Sequence, residues 1–203
     1  LFVPSGTMAN QLAIATHTSP GDEVLTATGS HCVWYESGAG AALWGVQFLE
    51  VGRTGEMTPN ELAEAVRERA YYSPNPKLLV LENTHNRGGG SVLTAEETEK
   101  LAAVAREKGL SVHLDGARLW NAAAALGASL SELTRATDTV SLCFSKGLGA
   151  PVGSILAGDR ARIEKAHRLR KMLGGGMRQS GVLAAACHFA LRENRARLSE
   201  DHA

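Results

Sequence analysis

Residues 77–118 read KLLVLENTHNRGGGSVLTAEETEKLAAVAREKGLSVHLDGAR, with an apolar run at each end and a helical pattern between them. The runs at 77–82 and 111–115 are largely apolar without alternation, which is typical of strands covered on both faces. Thr94 and Glu97 have the spacing of a capping box, and Gly109 is a helix stop. This order predicts a β–α–β unit with parallel strands.

The same alternation extends outward from this unit in both directions. The sequence predicts further strands at residues 23–28, 46–51, 139–144 and 153–157, and the opening LFVPSG also has a strand pattern. It predicts further helices at residues 7–18, 33–43, 119–125, 159–173 and 180–198, and one that begins at the N-cap Thr58. We therefore expect a three-layer α/β domain with a largely parallel sheet, spanning residues 1–203.

Composition excludes several classes of protein. The 203 residues include 21 basic and 21 acidic side chains, a balance that supplies no general field for nucleic acid or an anionic membrane. No apolar run approaches the roughly 20 residues that span a bilayer. The three cysteines lack CxxC spacing, so we expect a reduced compartment and no metal site. Because the chain begins with Leu1, we expect both of its ends to be truncated.

Ligands of such sheets bind beyond the carboxyl ends of the strands, so motifs at these ends are the most informative. Ser5-Gly6-Thr7 follows an apolar run and opens a helix, where the N–H groups of Gly6 and Thr7 could bind a phosphate. An ordinary helix cap is the alternative interpretation of this motif.

Two further strand-end motifs carry charged groups. In HLDGAR, Asp115 could pair with a protonated ring nitrogen while Arg118 binds an anion, or Asp115 could simply cap the next helix. In SKGLGAP, Lys146 directly follows an apolar run, and a lysine desolvated there can form a Schiff base. A strand-end lysine that reaches water is the alternative.

His31 and His85 also follow predicted strands. Either ring could stack on a flat ligand or exchange a proton near neutral pH, although a loop histidine can equally be structural. Taken together, a phosphate site, an imidazole, an aspartate and a lysine in this order are what pyridoxal 5'-phosphate requires.

The segments FVPSGTMANQLA, LENTHN, HLDGAR, SKGLGAPVGS and GGGMRQSG closely resemble the low-specificity L-threonine aldolases, which are fold type I enzymes of pyridoxal phosphate. The resemblance implies an α/β/α large domain with a mostly parallel seven-stranded sheet and one antiparallel strand. It also implies a homodimer or homotetramer whose active sites lie at subunit boundaries. Members of this family are longer at both ends, where an N-terminal segment and a small C-terminal domain help to bind the substrate carboxylate.

The resemblance also implies roles for individual residues. Lys146 would hold the cofactor covalently, and Asp115 would pair with its ring nitrogen. Arg118 would contact the phenolic oxygen of the cofactor, and His31 would stack on its ring.

The phosphate would be held by Gly6 and Thr7, and Arg178 would reach a phosphate in the neighbouring subunit. His85, or a water that it orients, would take the proton from the substrate hydroxyl.

The implied reaction is a carbon–carbon lyase reaction (EC 4.1.2.-), the cleavage of L-threonine or L-allo-threonine to glycine and acetaldehyde in the cytoplasm. A β-eliminating lyase or an aminotransferase acting on another amino acid is the alternative, since the same lysine and aspartate would serve. A non-catalytic cofactor-binding module and a Rossmann dehydrogenase are less well supported, the latter because no GxGxxG motif follows the first strand. The choice between the two threonine isomers, the physiological direction and the oligomer size stay open.

Overall fold

Seven strands form one mixed sheet in the computed structural model of the chain, which describes residues 1–200. In chain order they are β1 (Phe2–Val3), β2 (Asp22–Thr28), β3 (Gln47–Thr54), β4 (Asn75–Glu82), β5 (Ser111–Gly116), β6 (Thr139–Cys143) and β7 (Ser154–Gly158). The spatial order is β1-β7-β6-β5-β4-β2-β3, and only the pairings of β7 with β1 and β6 are antiparallel. β7 is therefore the one strand that runs against the others.

Helices connect most of these strands. They are α1 (Gly6–His17), α2 (His31–Trp34), α3 (Ala39–Trp44), α4 (Pro59–Ala65), α5 (Ala95–Glu107), α6 (Leu119–Leu126), α7 (Leu130–Thr134), α8 (Arg160–Met172) and α9 (Gly181–Glu193), followed by a 3-10 turn at Arg195–Arg197. No helix within residues 1–200 is long and apolar enough to cross a membrane.

The predicted β–α–β unit is present as β4, α5 and β5. Thr94 caps α5 reciprocally with Glu97, as the sequence predicts. The parallel register pairs Glu82 with Asp115, which places two carboxylates side by side at the carboxyl edge of the sheet. This register brings the first two polar groups of the site together.

The sheet lies between two apolar layers, and β4 contributes to both. Leu79 and Leu81 pack into a core with α4, α5, α6 and α7, whereas Leu78 and Val80 pack on the opposite face with Ile14 of α1. Alternate residues of a strand point to opposite faces, so a strand covered on both sides is apolar at every position. The three-layer arrangement predicted from the sequence is confirmed.

The helix predicted at residues 33–43 is wrong, because two short helices, α2 and α3, occupy this part of the chain. The break falls at Ser37 and Gly38, both with positive φ (53° and 70°). Immediately before it, Glu36 is only 2% exposed and accepts hydrogen bonds from α1. Turning this carboxylate inward ends α2 and prevents a continuous helix.

Two other differences concern the end of the last helix and a helix that was not predicted. The helix predicted at 180–198 ends at Glu193, and a 3-10 turn follows. The prediction also lacks α7, although Ser129 and Glu132 form a capping box at its start. Ser129 and Glu132 have the same spacing as Thr58 and Glu61 or Thr94 and Glu97, which indicated the other helices.

Candidate active site

A small cleft lies at the carboxyl ends of the parallel strands. Its walls are formed by Gly6, Asn10, His31, Glu82, Asp115, Ala117, Arg118 and Lys146. Five of these eight residues were candidates from the sequence, although they come from separate helices, strands and loops. A larger hollow beside Met57 and Lys100 lies outside this group and brings none of the candidates together.

Asp115 forms the floor of the cleft and is 3% exposed. Its Oδ2 atom accepts a hydrogen bond from Asn10 Nδ2 (2.7 Å), and its Oδ1 atom accepts one from the backbone N–H of Ala117 (3.1 Å). The N-cap residue of α6 is Arg118. Asp115 is therefore not the cap of this helix, and its carboxylate is available to line the cleft.

His31 is oriented by Glu36 rather than by the loop alone. Its Nδ1 atom lies 2.9 Å from Glu36 Oε1, which also accepts a hydrogen bond from Asn10 Nδ2 (2.9 Å). The second oxygen, Oε2, accepts one from Gln11 Nε2 (2.6 Å). The hydrogen bond to Glu36 raises the pKa of His31, and burial opposes part of this shift.

Glu82 is a cleft residue that sequence reasoning missed. Its two oxygens accept hydrogen bonds from the backbone N–H groups of His31 (2.7 Å) and Asn86 (2.8 Å). Burial, followed by the neighbouring charge of Asp115, raises the pKa of the Glu82 carboxyl. A charged residue directly after the apolar run KLLVL was the available signal, of the same kind as the one at Lys146.

His85 is buried in a separate small cavity, which shares Glu82 with the main cleft. Its Nδ1 atom accepts a hydrogen bond from the backbone N–H of Gly88 (3.1 Å), and its Nε2 atom lies 3.4 Å from Ser30 Oγ. Because Nδ1 accepts, we assign the ring proton to Nε2. Glu82 thus stands between His85 and the residues around Asp115.

Gly6 and Thr7 open α1 beside the cleft, and Gly6 is one of its lining residues. Ser5 Oγ caps this helix through the N–H of Met8 (3.2 Å), so the cap does not use the amides of Gly6 and Thr7. A Cβ atom at Gly6 would lie 2.8 Å from Cys143 Sγ, so only glycine allows α1 to start this close to β6. The motif is therefore a helix cap that does not occupy the amides of Gly6 and Thr7.

Lys146 and Arg118 are half-buried and line the open side of the cleft. The carbonyl of Lys146 accepts a hydrogen bond from the N–H of Gly149 (2.8 Å), a residue with φ of +74° that favours glycine. Arg178 is exposed and is not among the lining residues. Its role at the cofactor of a neighbouring subunit stays a prediction.

His31, Glu36 and Asp115 place one nitrogen and two carboxylate oxygens within 4.8 Å of one another. This is a donor set that a cation could use. The same atoms also form the hydrogen bonds described above, to Asn10, Gln11 and each other. The cluster is therefore explained as a hydrogen-bonded network.

The fold and the cleft define a class of α/β protein whose lysine, carboxylate and imidazole groups meet at the carboxyl edge of a mixed sheet. The chain belongs to the beta-eliminating lyase family, whose sequence model matches residues 1–203. It is 44% identical over 207 residues to low-specificity L-threonine aldolase 1 of Arabidopsis thaliana. It is 43% identical over 204 residues to the low specificity L-threonine aldolase of Escherichia coli K12.

Both alignments include all of this chain, which spans 58% and 60% of the length of these relatives. Among solved structures, threonine aldolase of Leishmania major superposes with a TM-score of 0.86 at 25% identity, covering 98% of this chain and 58% of that one. The resemblance that the motifs indicated, and the seven-stranded fold with one antiparallel strand that it implied, are confirmed.

Proposed function

We propose that this chain is the cofactor-binding large domain of a pyridoxal-phosphate-dependent lyase that cleaves L-threonine or L-allo-threonine to glycine and acetaldehyde. The observation that carries the proposal is the convergence of Lys146, Asp115, His31 and Arg118 in one cleft. Similarity to proteins named L-threonine aldolases over all of this chain supports the choice of substrate.

The residues of the cleft fit pyridoxal phosphate by their chemistry. Lys146 offers an amine for the aldehyde of the cofactor, and Asp115 offers a buried carboxylate for its ring nitrogen. Arg118 suits the phenolic oxygen, and the amides of Gly6 and Thr7 suit the phosphate. When bound, the cofactor supplies an acceptor for the electron pair that is released when a bond to the substrate α-carbon breaks.

The protein's contribution is to hold these groups before the substrate arrives. Asp115 would place its carboxylate against the ring nitrogen, which would favour the protonated form of that nitrogen. His31 presents its ring at the cleft, with Nδ1 engaged by Glu36 and Nε2 available to exchange a proton. A raised pKa makes His31 a stronger base.

His85 remains the proposed partner of the substrate hydroxyl. With its proton on Nε2, it acts as a donor that orients a water or the hydroxyl group, and His31 is then the group that receives a proton. Comparing the pH profiles of His31→Asn and His85→Asn tests this division. Loss of the acid-side limb of the profile in the His85 variant alone would show that His85, and not His31, receives the proton.

The proposal includes an oligomeric state, a cellular compartment and a metabolic role. We expect a homodimer or homotetramer with active sites at subunit boundaries, where the exposed Arg178 would meet a partner's cofactor. We expect it in the cytoplasm, in threonine breakdown and glycine formation. Light scattering coupled to size-exclusion chromatography measures the assembly, and a monomer that retains full activity would contradict it.

A β-elimination is the second candidate, and the family match over residues 1–203 favours it specifically. The same Lys146 and Asp115 would serve, while the products from L-serine would be pyruvate and ammonia. An aminotransferase is the related possibility, with a keto acid as its product.

The test is acetaldehyde release from L-threonine, followed with alcohol dehydrogenase in the presence of pyridoxal phosphate. The protein should have its full natural length, with L-serine as a parallel substrate. We expect release from wild type, none from Lys146→Ala, and an unchanged rate from Lys100→Ala, whose side chain is exposed on α5. An unchanged rate of acetaldehyde release in Lys146→Ala would contradict the mechanism. Formation of pyruvate from L-serine, without acetaldehyde from L-threonine, would favour the second candidate.

A further inference from the structure

The buried side chain of Asn10 lies within hydrogen-bond distance of four polar side chains at or behind the cleft floor. It lies on α1, is 2% exposed and is one of the lining residues. Its Nδ2 atom lies 2.7 Å from Asp115 Oδ2 and 2.9 Å from Glu36 Oε1. Its Oδ1 atom lies 2.8 Å from Ser141 Oγ and 3.3 Å from His113 Nε2.

These partners fix the orientation of the Asn10 amide. Ionised carboxylates only accept hydrogen bonds, so the NH₂ group must face Asp115 and Glu36, with one hydrogen for each. The carbonyl oxygen then faces Ser141 and His113 and only accepts. All the hydrogen-bonding capacity of the side chain is used, in a single arrangement.

The orientation of Asn10 also fixes the protons behind the cleft. Since Asn10 Oδ1 accepts, His113 Nε2 carries a proton, while its Nδ1 lies 2.9 Å from Thr139 Oγ1 and 3.2 Å from the Thr139 carbonyl oxygen. Thr139 Oγ1 also lies 2.9 Å from His17 Nε2. Burial lowers the pKa of His113 to about 4 and that of His17 to about 3, so both rings are neutral at pH 7.

Asn10 donates one hydrogen bond to Asp115 and one to Glu36, so it holds both buried carboxylates in place. It thereby fixes the group proposed to face the ring nitrogen relative to the group that orients His31.

We infer that Asn10 is a positioning residue that ties Asp115 to Glu36 and gives the cleft its preference for a ligand ring that carries a protonated nitrogen. This inference rests on the proposed function, because it takes pyridoxal phosphate as the ligand. Asn10 acts through Asp115 and Glu36.

The test compares binding of pyridoxal phosphate with binding of its 1-deaza analogue, in which carbon replaces the ring nitrogen. The analogue cannot use Asp115, so the ratio of the two dissociation constants isolates the nitrogen contact. We expect wild type, at full natural length, to prefer pyridoxal phosphate. Asn10→Leu should reduce this preference by about tenfold, the size expected for a charge-assisted hydrogen bond.

Gln11→Leu is the matched control. Gln11 is the next residue on α1, is equally buried at 2%, and donates to Glu36 but makes no hydrogen bond to Asp115 among those found in residues 1–200. We expect it to keep the preference within about twofold. Equal loss of preference in both variants, or equal weakening of both ligands in Asn10→Leu, would overturn the inference.

A second variant covers the case in which Asn10→Leu does not fold. Ser141→Ala removes a hydroxyl that lies 2.8 Å from Asn10 Oδ1 and 3.4 Å from Asp115 Oδ1, and should reduce the preference by about threefold. An unchanged ratio in Ser141→Ala would contradict the inference. Wild type that binds both ligands equally would overturn it while keeping the cofactor site, and wild type that binds neither would overturn the proposed function itself.

Discussion

The floor of the cleft and its rim are built in opposite ways. The floor consists of Asn10, Glu36 and Asp115, which are at most 3% exposed and hydrogen-bonded to one another. The rim proposed to bind the phosphate consists of the main-chain amides of Gly6 and Thr7 and, from a second subunit, of Arg178, which is exposed in this chain. The floor is therefore arranged before a ligand arrives, whereas the rim depends on groups that solvent reaches.

The largest expected effect comes from removing the centre of the floor. Asp115→Ala should lower the rate of acetaldehyde release by about 10²–10³-fold, because the charge facing the ring nitrogen is lost. Steady-state kinetics at saturating pyridoxal phosphate and L-threonine measure this effect.

Asp138→Asn is a suitable control for Asp115→Ala. Asp138 accepts a hydrogen bond from the N–H of Val112, near the start of β5 and away from the cleft. The control should change stability without changing the rate per folded molecule. A rate in Asp115→Ala within about threefold of wild type would contradict the assigned role of the floor, far short of the expected electrostatic effect.

Lowering the pH should reduce the free energy of unfolding, because His113 lies in the buried hydrogen-bonded network behind the floor. The pKa of His113 is lowered to about 4, so its contribution to stability is complete above its unfolded pKa of 6.5 and is lost as the pH falls from there to about 4. A shift of this size corresponds to about 3 kcal/mol of unfolding free energy at pH 4.

Urea unfolding at pH 7 and pH 4, in wild type and His113→Gln, measures this loss. The variant should have the shallower dependence on pH because it lacks the titrating ring. Equal slopes in the two proteins would show that His113 does not titrate in this way.

A substitution at the rim should weaken binding of pyridoxal phosphate and hardly change the free energy of unfolding. Arg178→Ala should raise the dissociation constant of pyridoxal phosphate by about tenfold, through loss of one charge-assisted contact to phosphate. The unfolding free energy should change by less than about 0.5 kcal/mol, since Arg178 is exposed. Arg160→Ala, exposed at the start of α8, is the control, and equal affinities in both variants would refute the role of Arg178.

The smallest effect concerns the tie between Glu36 and His31. Glu36→Gln should lower the pKa of His31, because the largest cause of its raised value is the hydrogen bond to Glu36. Nuclear magnetic resonance titration of the His31 ring measures the shift. A His31 pKa that stays the same or rises in this variant would show that Glu36 does not control the titration of His31.

Much of the fold could be predicted from residue patterns. Continuous apolar strands and capping boxes indicated the β4–α5–β5 unit, because alternate residues of β4 enter two cores and Thr94 satisfies the end of α5. The break between α2 and α3 could not be predicted. It depends on Glu36 turning toward α1, a contact between residues 25 and 26 positions apart.

The candidate site was predictable where a polar residue follows an apolar strand. Asp115 and Lys146 have that signal, and Glu82 had it too. Asn10 and Glu36 do not, since each lies within a stretch that has an ordinary helical pattern. Their importance comes from partners that are distant in sequence, which local patterns do not contain.

The sequence separations within the floor determine when it can be completed during synthesis. Asn10 and Glu36 are 26 residues apart and can meet early, but Asp115 lies 105 residues beyond Asn10 and Ser141 lies 131 residues beyond it. Until that part of the chain has left the ribosome, one N–H of Asn10 and its carbonyl oxygen must be satisfied by water. The contacts of α1 that organise the cleft are thus completed only after β5 and β6 have been made, and long-range closure of this kind slows folding.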